Sequence, residues 1–121
     1  MLEAISYDKL KQLSTNMREI FGYDLERVAY RNALVHMLYT LYQLKGQATP
    51  EQLFASADLT EVSGYRYATF LKRARMIEYR PTNKKGYYVI SEVGKRFIQG
   101  EFTNEFDFRE KLGVTCVYFW R

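Results

Sequence analysis

At 121 residues the chain has room for one domain built on one core. Its 47% hydrophobic and 17% aromatic content excludes a disordered chain, and its single cysteine, Cys116, excludes both an intrachain disulfide and a cysteine-held zinc. The net charge of +4 is unevenly spread. Residues 62–100 hold nine Lys/Arg (Arg66, Lys72, Arg73, Arg75, Arg80, Lys84, Lys85, Lys95, Arg96) against Glu78 and Glu92, a local +7, while residues 1–61 set six bases against eight acids and 101–121 three against four.

The chain predicts a mostly helical α+β domain spanning 1–121. Leu2, Ile5, Leu10, Leu13, Met17, Ile20 and Phe21 recur at helical steps, so an amphipathic helix is expected over 3–21 within an N-terminal extension, 1–22, ended by Gly22. Asp24 reads as the N-cap of a second helix, 25–45. That helix is apolar nearly all round (Val28, Ala29, Tyr30, Ala33, Leu34, Val35, Met37, Leu38, Tyr39, Leu41, Tyr42, Leu44), which predicts a central element buried on several sides. Lys45 sits at its negative end and Gly46 terminates it.

Thr49-Pro50-Glu51-Gln52 is the sharpest local signal: a capping threonine, a proline suited to the first helical position, and a Thr-x-x-Gln box. It opens a short helix, 50–57, that buries Leu53 and Phe54. After a turn at 57–60, Thr60 or Ser63 caps a third helix ending at 75, with Val62, Tyr67 or Ala68, Leu71 and Ala74 expected in the core. Gly64 costs roughly 1 kcal/mol there relative to Ala, which implies a close approach. Met76–Arg80 reads as an edge strand, 81–86 as a turn and 87–90 as the returning strand. Ser91 caps a helix over 92–99 that Gly100 closes. In the tail, 100–121, Phe102, Phe106 and Phe108 stand among acids, and 114–120 is uncharged and strand-forming, so it needs cover from the domain or from another chain.

The order of elements over 25–99 resembles the winged-helix family of helix-turn-helix DNA-binding domains, as found in bacterial transcriptional regulators. The residues that carry the likeness are Thr49-Pro50-Glu51-Gln52-Leu53, the turn Leu59-Thr60-Glu61-Val62-Ser63, the helix from Gly64 to Arg75, the basic hairpin tip Asn83-Lys84-Lys85-Gly86, and Tyr88-Val89-Ile90-Ser91-Glu92-Val93-Gly94. The last run is similar to the family's Tyr-x-x-Thr-x-x-Gly, with Ser91 for Thr. Arg75 departs from the pattern, since many members carry Gly before the first wing strand.

The resemblance implies a recognition helix over 63–75 lying in the major groove and a basic wing at 81–86. Arg66 is then the candidate for a bidentate guanine contact, Tyr65 and Thr69 for phosphate or thymine methyl, and Lys72 and Arg73 for phosphate. Ser63 joins this set at the start of the helix, and Lys84 and Lys85 reach phosphate or the minor groove from the hairpin tip. The competing reading of every one of these is a solvated charge or ordinary turn chemistry.

The expected function is a homodimeric regulator of transcription that reads a palindromic site on double-stranded DNA. The alternative is a protein-interaction module that leaves DNA untouched, and a third is a regulator with an effector pocket among Tyr30, Tyr39, Tyr42 and the tail aromatics. His36 has no neighbouring ligand for a metal, and no catalytic motif occurs, so neither enzyme activity, cofactor nor metal is expected. Charges alternate with apolar residues over 1–13, which reads against a signal peptide, and no apolar run is as long as a membrane span, so the expected location is the cytoplasm.

Overall fold

The computed structural model describes residues 2–25 and 27–112. They form a mostly helical α+β structure with α1 at Tyr7–Phe21, a 3-10 turn at Gly22–Leu25, α2 at Val28–Gln43, β1 at Gln47–Ala48, α3 at Pro50–Ser56, α4 at Glu61–Arg73, β2 at Ile77–Arg80, β3 at Tyr87–Ile90, α5 at Glu92–Ile98 and α6 at Glu105–Leu112. The sheet is antiparallel in the order β1-β3-β2. Tyr88 of β3 faces Ala48 on one side and Tyr79 on the other.

α2 is the axis of the fold. It packs against α1, α3, α4, α5 and β3, and its Leu34, Val35, Met37, Leu38 and Leu41 are fully buried. Most of this apolar helix is therefore covered by its own chain, while Val28 in its first turn and Tyr42 in its last stay exposed. Buried Arg31 fastens its start: Nη1 donates to the Leu25 carbonyl (2.6 Å) and Nε to the Ser14 hydroxyl (3.2 Å), so one guanidinium joins α1, the 3-10 turn and α2.

Several boundaries differ from expectation. α1 starts at Tyr7 rather than at residue 3, because the Ser6 hydroxyl accepts from the Lys9 N–H and fixes the first turn there. Asp24 is not the N-cap of α2. It lies within the 3-10 turn that buries Leu25, and Arg27 takes the cap position without a side-chain bond. β1 was not expected, since a two-residue strand leaves no alternating pattern to read.

In the tail, the helix α6 was not expected, and of the two covers left open for the tail the described part takes its own domain. Phe102 and Phe108 are buried, and Phe108 meets the edge of the Phe21 ring of α1 at 5.7 Å. Residues 101–112 thus cover their own domain. α6 carries a capping exchange that the sequence reading missed: the Asn104 side chain accepts from the Asp107 N–H (2.8 Å), and the Asp107 carboxylate accepts from the Thr103 N–H (3.1 Å). The expected strand at 114–120, with Cys116, lies outside the described residues. No helix among the described residues is long and apolar enough to cross a membrane.

Candidate nucleic-acid interface

The segment from Thr49 to Arg73 is held by caps at both helix starts. The Thr49 hydroxyl accepts from the Gln52 N–H and the Thr60 hydroxyl from the Ser63 N–H, each at 3.2 Å. Thr60, not Ser63, is thus the cap of α4. Between the helices Asp58 adopts a left-handed φ of 56°, and the Leu59 N–H returns to the Phe54 carbonyl, so α3 closes in a Schellman motif without glycine. Gly64 is where α4 touches α3. A Cβ there would lie 2.6 Å from the Phe54 ring, which is the close approach that the sequence implied.

α4 buries a strip of Gly64, Ala68 and Leu71, followed by Ala74 at its C-cap. Val62 was expected on that strip and is instead 81% exposed. At 3.6 residues per turn, Val62, Tyr65, Arg66, Thr69, Lys72 and Arg73 share one solvent-facing arc of about 120°, and all six are exposed. Ser63 is half-buried and lies off this arc. The expected contact helix therefore gains a valine that was missed and keeps five of its six expected side chains together.

Neighbours fix how these side chains stand. The Tyr65 ring is held edge-on by Phe54 (5.0 Å between ring centres), the Thr69 hydroxyl donates to the Tyr65 carbonyl (2.9 Å), and the Arg66 guanidinium lies over the adjacent Tyr67 ring (5.3 Å). Arg66, expected to point at base edges, turns instead towards α2. There it lines an open groove of about 320 Å³ with Arg27, Ala29, Tyr30 and Tyr67. A second groove of about 300 Å³ continues past it along Tyr30, Thr69, Phe70 and Arg73. Burial pushes the Tyr30 hydroxyl pKa up, and the Arg66 charge pulls against that rise. On the other flank Lys72 and Arg75 line a shallow groove with Ile77, Glu78 and Tyr79 of β2.

The β2–β3 hairpin is tied to this helix through a run of rings. Tyr65 meets Phe54, Phe54 meets Tyr88 of β3 (6.5 Å), and Tyr88 meets Tyr79 of β2 (5.5 Å). At the tip the Thr82 hydroxyl donates to the Lys85 carbonyl and accepts from the Lys84 N–H. Lys85 reaches Glu51 of α3 at 3.5 Å, and that carboxyl is held below its usual pKa, first by its own backbone N–H and then by Lys85. Both side chains of the pair are exposed, so it fixes Lys85 only weakly.

Arg75, the departure from the family pattern, has a left-handed φ of 62°. Its N–H bonds the Lys72 carbonyl and the Met76 N–H the Leu71 carbonyl, the Schellman closure that glycine usually makes. Ser91 secures this turn by donating to the Arg75 carbonyl (2.6 Å) while accepting from the Gly94 N–H (3.1 Å). A Cβ on Gly94 would sit 2.3 Å from the Met76 carbonyl oxygen. The Ser-x-x-Gly spacing thus joins the end of α4 to the start of α5.

The nine bases of 62–100 do not form one patch. Arg80 pairs with Glu78 (3.3 Å), and Arg96 turns to Glu101 (3.2 Å) and the Phe102 ring. Arg66, Lys72, Arg73 and Lys84 have no carboxylate partner among the described residues. Nor are the three tyrosines of the effector reading gathered together. Tyr30 packs on Tyr67 and Phe70 of α4, whereas Tyr39 lies under the Lys9 ammonium of α1. No family model, curated protein or solved structure matches this chain.

Proposed function

We propose that this chain is a winged-helix DNA-binding domain of a transcriptional regulator, with α4 as the recognition helix and the β2–β3 hairpin as the wing. The observation that carries this reading is the exposed arc of α4, whose cations Arg66, Lys72 and Arg73 have no carboxylate partner among the described residues. Such a face is complementary to a phosphate-lined groove, and a capped helix on a rigid partner can enter it as a unit.

In this reading Arg66 and Arg73 grip phosphates on the α2 side and Lys72 on the hairpin side, with Lys84 reaching the next backbone stretch. Arg66 becomes an anchor rather than a reader of guanine, because its guanidinium rests on Tyr67 beside Arg27. Fluorescence anisotropy with a labelled random duplex at about 50 mM salt tests the proposal, with a Kd of micromolar order or tighter expected. Absence of binding there would leave the protein-interaction reading in its place.

The homodimer rests on a separate observation. Between α1 and the start of α2 runs a groove of about 240 Å³ whose apolar residues are Tyr7, Leu10 and Val28, and Tyr7 and Val28 are 74% and 57% exposed. A second copy pairing along this groove would carry two α4 helices to two half-sites of a palindrome. Light scattering at micromolar protein is expected to give twice the 14.4 kDa chain mass, and Tyr7→Ser with Val28→Ser to give one.

A further inference from the structure

On the exposed face of α4 five side chains can hydrogen-bond or carry charge, and one cannot. Val62 is 81% exposed and stands in the first turn of the helix, with Tyr65, Arg66 and Thr69 on the same arc. A single exposed valine is ordinary on a protein surface. Its place is what carries weight. The N-terminal residues of a recognition helix are those that meet base edges, so Val62 is aimed at the base stack rather than at the phosphates. A β-branched residue gains nothing there as a helix former.

Resting on the proposed DNA-binding function, we infer that Val62 is a specificity-determining residue that packs against the C5-methyl group of a thymine in the major groove. The chemistry leaves one match. Base edges in that groove present donors, acceptors and a single apolar feature, the thymine methyl, and an isopropyl group complements only the last. The ring of Phe54 holds Tyr65, and the Thr60 cap holds the first turn, so Val62 enters on a fixed backbone and loses little freedom on contact. Arg66 and Arg73 on one side and Lys72 on the other supply the charge that brings the backbone in. Glu61, beside Val62 in the first turn, is an acid at the positive end of the helix dipole, where an acid is favourable.

The test uses the full chain and removes one methyl group from the DNA. A preferred duplex is selected from a random pool, and each thymine in it is replaced in turn by uracil. One thymine in each bound half is expected to be sensitive, with wild-type affinity falling about three- to fivefold, the worth of one buried methyl. Val62→Ala binds the thymine duplex more weakly, loses the distinction between thymine and uracil at that position, and keeps the wild-type salt dependence. Val62→Thr keeps one γ-methyl and retains part of the distinction. A wild-type protein that binds duplex but has no uracil-sensitive position overturns this inference alone, as does a Val62→Ala protein with the distinction intact. Failure to bind any duplex overturns the DNA-binding reading and this inference together.

Discussion

α2 and α4 are neighbours with opposite uses for their apolar residues. Val35 of α2 is wholly enclosed, whereas Val62 of α4 is 81% exposed. α2 meets α1, α3, α4, α5 and β3, and beyond its first turn has little surface left to act with. α4 reaches the core through Gly64, Ala68 and Leu71, with Tyr67 and Phe70 half-buried beside them, and leaves the arc of Val62, Tyr65, Arg66, Thr69, Lys72 and Arg73 outside. A helix packed along one side only leaves a continuous arc of side chains that folding does not use, and that is where a binding face is to be sought.

The same substitution in both helices gives the largest contrast. Val35→Ala is expected to cost about 2–3 kcal/mol, the lost methyl groups plus the cavity they leave. Val62→Ala should stay within about 0.5 kcal/mol of wild type. Urea midpoints at neutral pH check both, and equal losses would mean that Val62 is buried after all.

The close approaches that hold α4 in place come next. Gly64→Ala forces a Cβ to 2.6 Å from the Phe54 ring, and Gly94→Ala one to 2.3 Å from the Met76 carbonyl oxygen. Alanine would ordinarily stabilise a helix relative to glycine by about 1 kcal/mol. Here both variants should lose about 1–3 kcal/mol through overpacking. Gly94→Ala should lose more, because a ring can tilt and a backbone carbonyl cannot. Thermal unfolding followed by circular dichroism would reveal the order.

Tyr88, where the ring run crosses the sheet, gives a pH signature. Burial pushes its hydroxyl pKa up to about 12 from the usual 10, with Tyr65 and Tyr79 adding to the rise. The folded state therefore favours neutral Tyr88. Its contribution is intact below pH 10 and is lost as the pH climbs from about 10 to 12. Tyr88→Phe should unfold less steeply over that window than wild type in an alkaline titration. An unchanged slope would place Tyr88 in water.

The smallest effect concerns the turn after α4. Arg75→Gly relieves a left-handed φ of 62° and should raise stability by about 0.5–1 kcal/mol, since the strain of about 1–2 kcal/mol is partly offset by the extra freedom of glycine in the unfolded chain. A drop in the urea midpoint would show that the arginine side chain contributes more than the strain removes.

These contrasts also mark what the sequence could disclose. Thr49-Pro50 and Ser91 act within one helical turn of themselves, so their caps are where the pattern put them. Gly64 is legible too, because glycine in a helix start asks for a reason. Asp24 misled because a good capping residue cannot tell whether the next turn is α or 3-10. Asn104-x-x-Asp107 carries the same kind of signal as Thr49-x-x-Gln52, but Phe102, Phe106 and Phe108 beside it fall at steps of four and two, which show no clear helical period. Val62 was assigned to the core because it is apolar. The strip that α4 buries begins at Gly64, where the Phe54 ring of α3 comes close, and single-residue hydropathy does not encode which way the helix is turned. The turn of Arg66 towards Tyr67 and Arg27 depends on α2, some forty residues away in the chain, and has no local signature.

The central claim is that the cations on the exposed arc of α4 meet DNA phosphates. The most direct measurement is the slope of log affinity against log salt for the wild-type protein and for the triple variant Arg66→Ala, Lys72→Ala, Arg73→Ala on one duplex. The account predicts a steep wild-type slope that falls by about 0.9 for each phosphate contact removed, approaching 2.7 in the triple variant. Lys9→Ala with Lys11→Ala on α1 should leave the slope where it was. A triple variant with the wild-type slope, or a wild-type protein whose binding ignores salt, would contradict it.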